Sequence, residues 1–279
     1  MTYEYGKPVI GMALGDQPLL VGANSRWENW KPTEPEATAT LWRYMNLAKF
    51  CSLLDRSALF FSLVEHMADV YEGFVYPPIP REQEDRLDMA ERFAYNWLSK
   101  QARASLISCW TQSDHESNLM WDAYAGKEGV AVCITFRDLQ EALRSIADLP
   151  VTFGQVKYVD YRQTEVPRFG WGPLFHKRME YRAEIEVRAV LPPPPFEPDS
   201  KSYPEVPNVP LDPDVAEQRG RYVPVNLEIL VQEVVLPPYA TPRFAQVVES
   251  IVDGSPVKPH VRRSNIESLP YEPNKQNTE

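Results

Sequence analysis

The chain has 279 residues and a mass of 32.0 kDa, enough for one large domain or two small ones. At 43% hydrophobic and 24% charged residues its composition is globular, and a formal charge of −10 removes any general attraction to phosphate backbones or anionic membranes. The 27 prolines against 12 glycines, with no GxGxxG or Walker-type loop, argue against a glycine-built nucleotide fold.

Residues 1–39 form a lead-in, with two short apolar runs (PVIGMALG, PLLVG) and the proline-punctuated segment WENWKPTEPEATAT. The N-terminus lacks the basic flank and apolar run of a signal peptide, and no stretch approaches the roughly 20 apolar residues of a membrane span. Cys51, Cys109 and Cys133 are widely spaced and odd in number, so no disulfide framework is implied. A cytoplasmic protein with no membrane partner is expected.

The core runs from 40 to 269. TLWRYM reads as a strand, LAKFCSLLDR as a helix and SALFFSLV as a second strand. In the helix, Leu47, Phe50, Cys51 and Leu54 make one apolar face. Residues 81–103 read as a charged helix, SLISCW as a strand, and ESNLMWDAYA as a helix ending before Gly126. GVAVCITF is the most strand-like run. DLQEALRSIA follows as a helix with Asp138 as N-cap, and VTFGQVKYVDY as one strand. Residues 192–214 hold nine prolines in 23 positions, which fits a surface excursion and neither a helix interior nor a central strand. Beyond it come RYVPVNLEILVQEVVLPP, a helix over TPRFAQVVESIVD, a short strand near VKPHV, and a polar tail over 270–279. This alternation gives an α/β or α+β chain folded as one domain.

Residues 182–188 are the most informative for chemistry. Read as a strand, they place Arg182, Glu184, Glu186 and Arg188 on one face and Ile185, Val187 and Ala189 in the core. Two carboxylates so spaced can divide labour, one orienting substrate and one stabilising positive charge or acting as base. A solvent-facing strand with a self-neutralising charge row is the competing reading. Arg43, between Trp42 and Tyr44, can clamp a phosphate or carboxylate, or pair with Asp69 or Glu72. Asp69 and Glu72, three apart, fit an acidic site or a plain surface. Ser62 alone carries no chemistry. Trp121 and Tyr124 on one helix face can stack a planar ligand or belong to the core. Cys109 with His176 permits a thiol nucleophile, although an apolar strand beside Trp110 fits an inert thiol better. His66, His115, His176 and His260 lack metal-ligand spacing, so no metal is expected.

The succession LWRYM, ADVYEG, SCWTQSDHESNLMWDAY, GQVKYVDY, FHKR and YRAEIEVR resembles the bacterial domain of unknown function family number 2971, over about Thr40 to Ser264. Members of that family resemble proteins of phage-defence and abortive-infection systems. The strand–Arg–helix–strand opening, with a later carboxylate strand, is also similar to the ADP-ribosyltransferase fold. That resemblance implies an α+β domain with a mixed, mostly antiparallel split sheet flanked by helices. It implies NAD as substrate, held by Arg43, and a catalytic carboxylate at Glu184 or Glu186. No S-T-S run follows the second strand, so Ser62 and Ser108 are both candidates for the middle residue. Tyr44, Trp110, Trp121, Tyr124, His176, Lys177, Arg178 and Arg188 complete the candidate binding residues. The implied function is a transferase or glycohydrolase, a toxin or defence effector with a nucleic-acid or protein acceptor and an antitoxin or defence-system partner. Two alternatives stand beside it. One is a non-enzymatic module in which Arg43, Lys177 and Arg178 hold an anionic partner. The other is a metal-dependent nuclease using Asp69, Glu72, Glu184 and Lys177.

Overall fold

Strands and helices follow one another much as the periodicity predicts. The computed structural model describes residues 13–14, 17–18, 30–74, 96, 98–100, 102–144, 149–164, 166–167, 170–192 and 219–267. In chain order the elements are β1 (Ala13–Leu14), β2 (Gln17–Pro18), β3 (Thr40–Asn46), α1 (Leu47–Arg56), β4 (Ala58–Leu63) and β5 (Leu106–Gln112). Next come α2 (Asn118–Met120, continued by a π-type turn over Trp121–Ala125), β6 (Gly129–Thr135), α3 (Phe136–Arg144), β7 (Thr152–Gln155), β8 (Lys157–Val159), β9 (His176–Arg178) and β10 (Glu186–Leu191). The chain ends in β11 (Gly220–Pro224), α4 (Leu227–Leu230), β12 (Glu233–Val235), α5 (Pro242–Gly254) and β13 (His260–Arg262). Most of the helix expected over 81–103, the proline excursion beyond Pro192 and the polar tail lie outside the described residues. Among those described, no helix is long and apolar enough to cross a membrane.

The fold is α+β with mostly antiparallel strand pairing, as expected, and it is built as two compact units. The first draws on Met1–Pro35, Phe60–Cys109 and Leu149–Tyr222. The second draws on Glu36–Leu59, Trp110–Asp148 and Val223–Glu279.

In the second unit β3 pairs antiparallel with β6 along its whole length, from Thr40↔Thr135 to Asn46↔Gly129. The end of β5 pairs with its other edge (Trp42↔Thr111), and β12 and β13 extend the sheet beyond β6. Helix α1 starts where Asn46 accepts a hydrogen bond from the Lys49 amide and stops at Ser57, whose φ of 48° is left-handed. Its inner face is Phe50, Leu53 and Leu54, with Leu47 and Cys51 half-buried at the margin. Helix α3 corrects one expectation. Its N-cap is Thr135, whose hydroxyl accepts from the Asp138 amide, and Asp138 returns the favour by accepting from the Thr135 amide. This is a capping box with Asp138 at the third helical position.

The E-S-x-x-M-W run has a structural explanation in this unit. Both Glu116 carboxylate oxygens are occupied: Oε1 accepts from Arg262 Nη1 at 3.0 Å and the Asn265 amide at 2.8 Å, Oε2 from Trp121 Nε1 at 3.1 Å and Ser264 Oγ at 2.6 Å. Ser117 caps α2, and Met120 and Trp121 join Trp42, Tyr44 and Val235 in one apolar cluster. Arg262 also pairs with Glu233 and lies over the Trp42 ring.

In the first unit β4 pairs with β5 (Ser62↔Ile107), β10 lies beside β5, and β7 runs antiparallel beyond β10 (Arg188↔Gly154). Strands β8 and β9 form a separate parallel pair. The single strand expected over VTFGQVKYVDY is therefore divided. At Val156 the chain changes partner, since the Val156 amide donates to Glu186 O and the Lys157 amide to Phe175 O. The apolar cluster of this unit contains Ile107, Trp171, Leu174, Phe175 and Val190, with Trp30 of the lead-in packed against it.

Removing the Glu116 carboxylate takes one of two carboxylate partners from Arg262 and the acceptor from three further donors. Glu116→Ala should therefore cost about 3 kcal/mol or more in urea denaturation. A loss near zero would show that these bonds are replaced by water.

Candidate functional site

The candidate site belongs to the first unit and is assembled by β9, β10 and the turn at 69–73. Strand alternation puts Glu186 and Arg188 on one face of β10, but Arg182 and Glu184 are not in that strand. Met179–Glu184 winds as a 3₁₀ helix, closed by Ile185 at φ 43° with its side chain 52% exposed. Left-handed backbone is a strained state for a β-branched residue. Ile185 thus leaves the core position expected for it, while Val187 and Ala189 are fully buried as expected. The face carrying Glu186 and Arg188 is buried as well, which removes the solvent-facing charge row.

Arg188 has no exposed surface, and its guanidinium is fully engaged. Nε donates to Glu186 Oε1 at 2.8 Å, Nη2 to Glu186 Oε2 at 2.9 Å and Glu72 Oε1 at 2.8 Å, and Nη1 to the Leu174 carbonyl at 2.6 Å. Lys177 Nζ lies 2.6 Å from Glu184 Oε2, 3.2 Å from Glu72 Oε1 and 3.3 Å from Glu186 Oε2. Three carboxylates thus converge on one ammonium. Beside them Arg178 forms a bidentate pair with Asp69 and lies over the rings of Tyr71 and Tyr181, at 4.5 and 5.5 Å. Asp69 and Glu72, expected on a surface or in an acidic site, are both buried and ion-paired. The reason is the turn between them: the Glu72 amide donates to Asp69 O, and the Asp69 carboxylate accepts from the Tyr71 amide. Gly73 closes it at φ 66°, and a Cβ there would lie 2.7 Å from Val64 Cγ1.

These surroundings set the ionisation. Burial pushes the Glu186 carboxyl up, but the charges of Arg188 and Lys177 outweigh it and hold it at about 2. Burial pulls Lys177 and Arg188 down, and in both the surrounding carboxylates, Glu186 first, more than compensate and raise them. Burial followed by the Glu186 charge raises the Cys109 thiol, which hydrogen-bonds to Glu186, so Cys109 behaves as an un-ionised thiol rather than a nucleophile. His176 is lowered to about 4, chiefly by burial, with the charges of Lys157 and Arg188 adding to it. Its Nδ1 lies 2.8 Å from the Gly172 carbonyl, and Trp30 packs on its ring, so a neutral imidazole fits the contact.

The remaining predicted residues fall elsewhere. Ser62 hydroxyl bonds to the carbonyls of Leu63 and Arg219. Ser108 is buried in β5 on the face opposite Cys109. In the second unit, Arg43 lies 5.6 Å over the ring of buried Trp110. Tyr44 accepts a hydrogen bond from the Ser117 amide, meets Trp121 edge-on, and is raised to about 12 mainly by burial. Trp121 is 2% exposed and Tyr124 47%, so the two do not share a ligand-stacking face. The π-type turn they occupy is wider than an α-turn and separates residues three apart. Sequence reasoning missed Tyr158, whose hydroxyl accepts from the Glu186 amide at 2.8 Å, and Tyr181, whose ring lies 4.6 Å from Lys177 Nζ. The tyrosines of KYVDY and MEYRAE were the available signal. Among the described residues, no group of three or more His, Cys, Asp or Glu side chains is placed to hold a metal ion.

No family model and no curated protein matches the chain. One solved structure, Thermus sp. 2.9 DarT in complex with ADP-ribosylated ssDNA, aligns over 86% of this chain and 100% of its own, at 11% identity and a TM-score of 0.39. That likeness is weaker than a shared fold.

Two depressed ionisations give a two-step acid profile. Groups held below their unfolded values contribute stability at neutral pH and lose it as pH falls. For His176 the loss runs from 6.5 down to about 4, and for Glu186 from 4.5 down to about 2. Denaturation midpoints measured from pH 7 to pH 2.5 should show both. His176→Asn should flatten the upper step alone, worth on the order of 3 kcal/mol; an unchanged upper step would assign it to another group.

Proposed function

We propose that the chain is an NAD-consuming enzyme of the ADP-ribosyltransferase type, a transferase or glycohydrolase, acting where the buried charge network of the first unit reaches solvent. The observation that carries this reading is a convergence of carboxylates on one buried cation. Among the described residues, Glu72, Glu184 and Glu186 all lie within 3.3 Å of Lys177 Nζ, and Glu72 and Glu186 are shared with the buried Arg188. The carboxylate at the edge of this set is Glu184, whose side chain is 16% exposed.

Such an edge suits chemistry that builds positive charge on a sugar carbon. The bond between the anomeric carbon and the nicotinamide nitrogen breaks, and its electron pair leaves with neutral nicotinamide. The sugar carbon passes through an oxocarbenium-like state that a fixed carboxylate stabilises more than it stabilises the ground state. A hydroxyl or amine of the acceptor, or water, then bonds to that carbon and releases a proton. The strain at Ile185 supports the same location, because left-handed β-branched residues persist where surrounding structure enforces them. A nucleic-acid or protein acceptor, and a setting in toxin or phage-defence function with a partner protein, belong to this reading through the sequence resemblance. The alternative of an anion-binding module is less favoured, since Lys177 and Arg178 already face carboxylates.

Purified protein incubated with NAD should release nicotinamide. NAD should also raise the melting temperature, with a stabilisation of about 2.7 kcal/mol at a hundredfold excess over Kd. Absence of both turnover and shift, with and without candidate acceptors, would overturn the reading.

A further inference from the structure

Residues 30–33 lie against β7, β8 and β9 without forming a strand of their own. The Thr33 carbonyl accepts from the Gln155 amide at 2.8 Å. Pro32 rests on Gly154, where a Cβ would come within 2.4 Å of the proline Cβ, so the close approach requires glycine. The Trp30 ring meets the His176 ring at 5.0 Å between centroids, and Lys157 Nζ lies 5.6 Å from the Trp30 ring. We propose that this segment is a pH-sensitive strap, docked while His176 is neutral and lifted when His176 takes up a proton.

The geometry around the imidazole makes the two states exclusive. A carbonyl can only accept, so the Nδ1 atom 2.8 Å from Gly172 O carries the ring's proton. A second proton must go to Nε2 and turns the ring into a cation. The ring is 4% exposed, and the charged side chains acting on it are Lys157 of β8 and Arg188 of β10, both positive. The Gly172 carbonyl favours the proton but is already engaged by Nδ1. Trp30 sharpens the conflict. Its ring already has the Lys157 ammonium beside it, and protonation would set a second cation against the same indole. Lifting the strap lets water reach the imidazolium and restores its solvation.

The strap can open without the sheet. Strand β7 keeps four register pairs with β10, and β8 keeps three with β9, none of which involves residues 30–33. The docked imidazole is held at about 4 against an ordinary 6.5, chiefly by burial. Docking is therefore strongest above pH 6.5 and weakens as pH falls, by up to about tenfold per unit, levelling off below 4. Lifting bares the His176 end of β9, the strand that also carries Lys177. The device stands apart from the reaction proposed above and needs no NAD.

Full-length protein labelled with 5-fluorotryptophan tests it by fluorine NMR, with the Trp30 resonance assigned from Trp30→Phe. Between pH 7 and pH 4.5 the Trp30 signal should move toward its solvent-exposed position. The Trp171 signal, from the apolar cluster of the same unit, should keep its native shift. In His176→Asn the Trp30 movement should disappear. The reciprocal measurement follows carbon-13-labelled histidine: His176 should titrate at least about one pH unit higher in Trp30→Ala than in the parent. Trp30 and Trp171 signals that shift together would report unfolding of the whole unit and overturn a separate strap. A Trp30 signal that ignores pH, or a His176 titration unchanged by Trp30→Ala, overturns the coupling.

Discussion

A guanidinium stripped of water is the constraint around which the first unit is arranged. Arg188 sits in a strand with no exposed face, and leaving such a charge unmatched would cost several kilocalories per mole. Every nearby feature supplies part of the match. Strand β10 brings Glu186 two residues away on the same face, the 3₁₀ segment Gly172–Leu174 turns the Leu174 carbonyl toward it, and the turn at 69–73 delivers Glu72. Once Glu186 and Glu72 are in place they need more positive charge, and Lys177 provides it. Glu184 is the last carboxylate added and the one that remains near solvent. The polarity of the site is thus a consequence of burying one cation well.

The second unit solves a similar problem with the opposite sign. There the buried ion at the centre is a carboxylate, Glu116, and four donors from α2, β13 and the segment after β13 surround it. Its oxygens are all used within the protein, so it offers nothing to a ligand. The contrast separates two kinds of motif that look alike in a sequence. E-S-x-x-M-W ties helix, strand and loop together, whereas the E-x-E segment leaves one carboxylate at the surface.

Much of this was readable in advance where periodicity alone decides. TLWRYM, LAKFCSLLDR and GVAVCITF carry unambiguous period-two or helical patterns and became β3, α1 and β6. The residues of the site were legible as types, since Asp69, Glu72, Lys177, Arg178, Glu184, Glu186 and Arg188 were all singled out. Their arrangement was not. In YRAEIEVR the alternation of charge and aliphatic residues imitates a strand, and the position that breaks the strand is an isoleucine. Turn rules look for glycine, asparagine or aspartate at φ above zero, so nothing in the residues announces the break. The burial of Asp69 and Glu72 was hidden for a different reason. Their partners lie more than 100 residues away, at Arg178 and Arg188, and a single chain read locally contains no trace of such pairing.

Those separations bear on how the unit assembles. Lys177, Glu184, Glu186 and Arg188 lie within one short stretch, so their mutual contacts close loops of nine residues or fewer. The links from Arg178 to Asp69 and from Arg188 to Glu72 span 109 and 116 residues. Closing those loops carries the larger entropy cost, and it can be recovered only when the charges on both sides are already oriented to meet. Docking of the 69–73 turn therefore carries more of the closure entropy than the contacts within the β9–β10 segment. Until it docks, Arg188 keeps a donor for water, and the dry interior of this unit is complete only with that last contact.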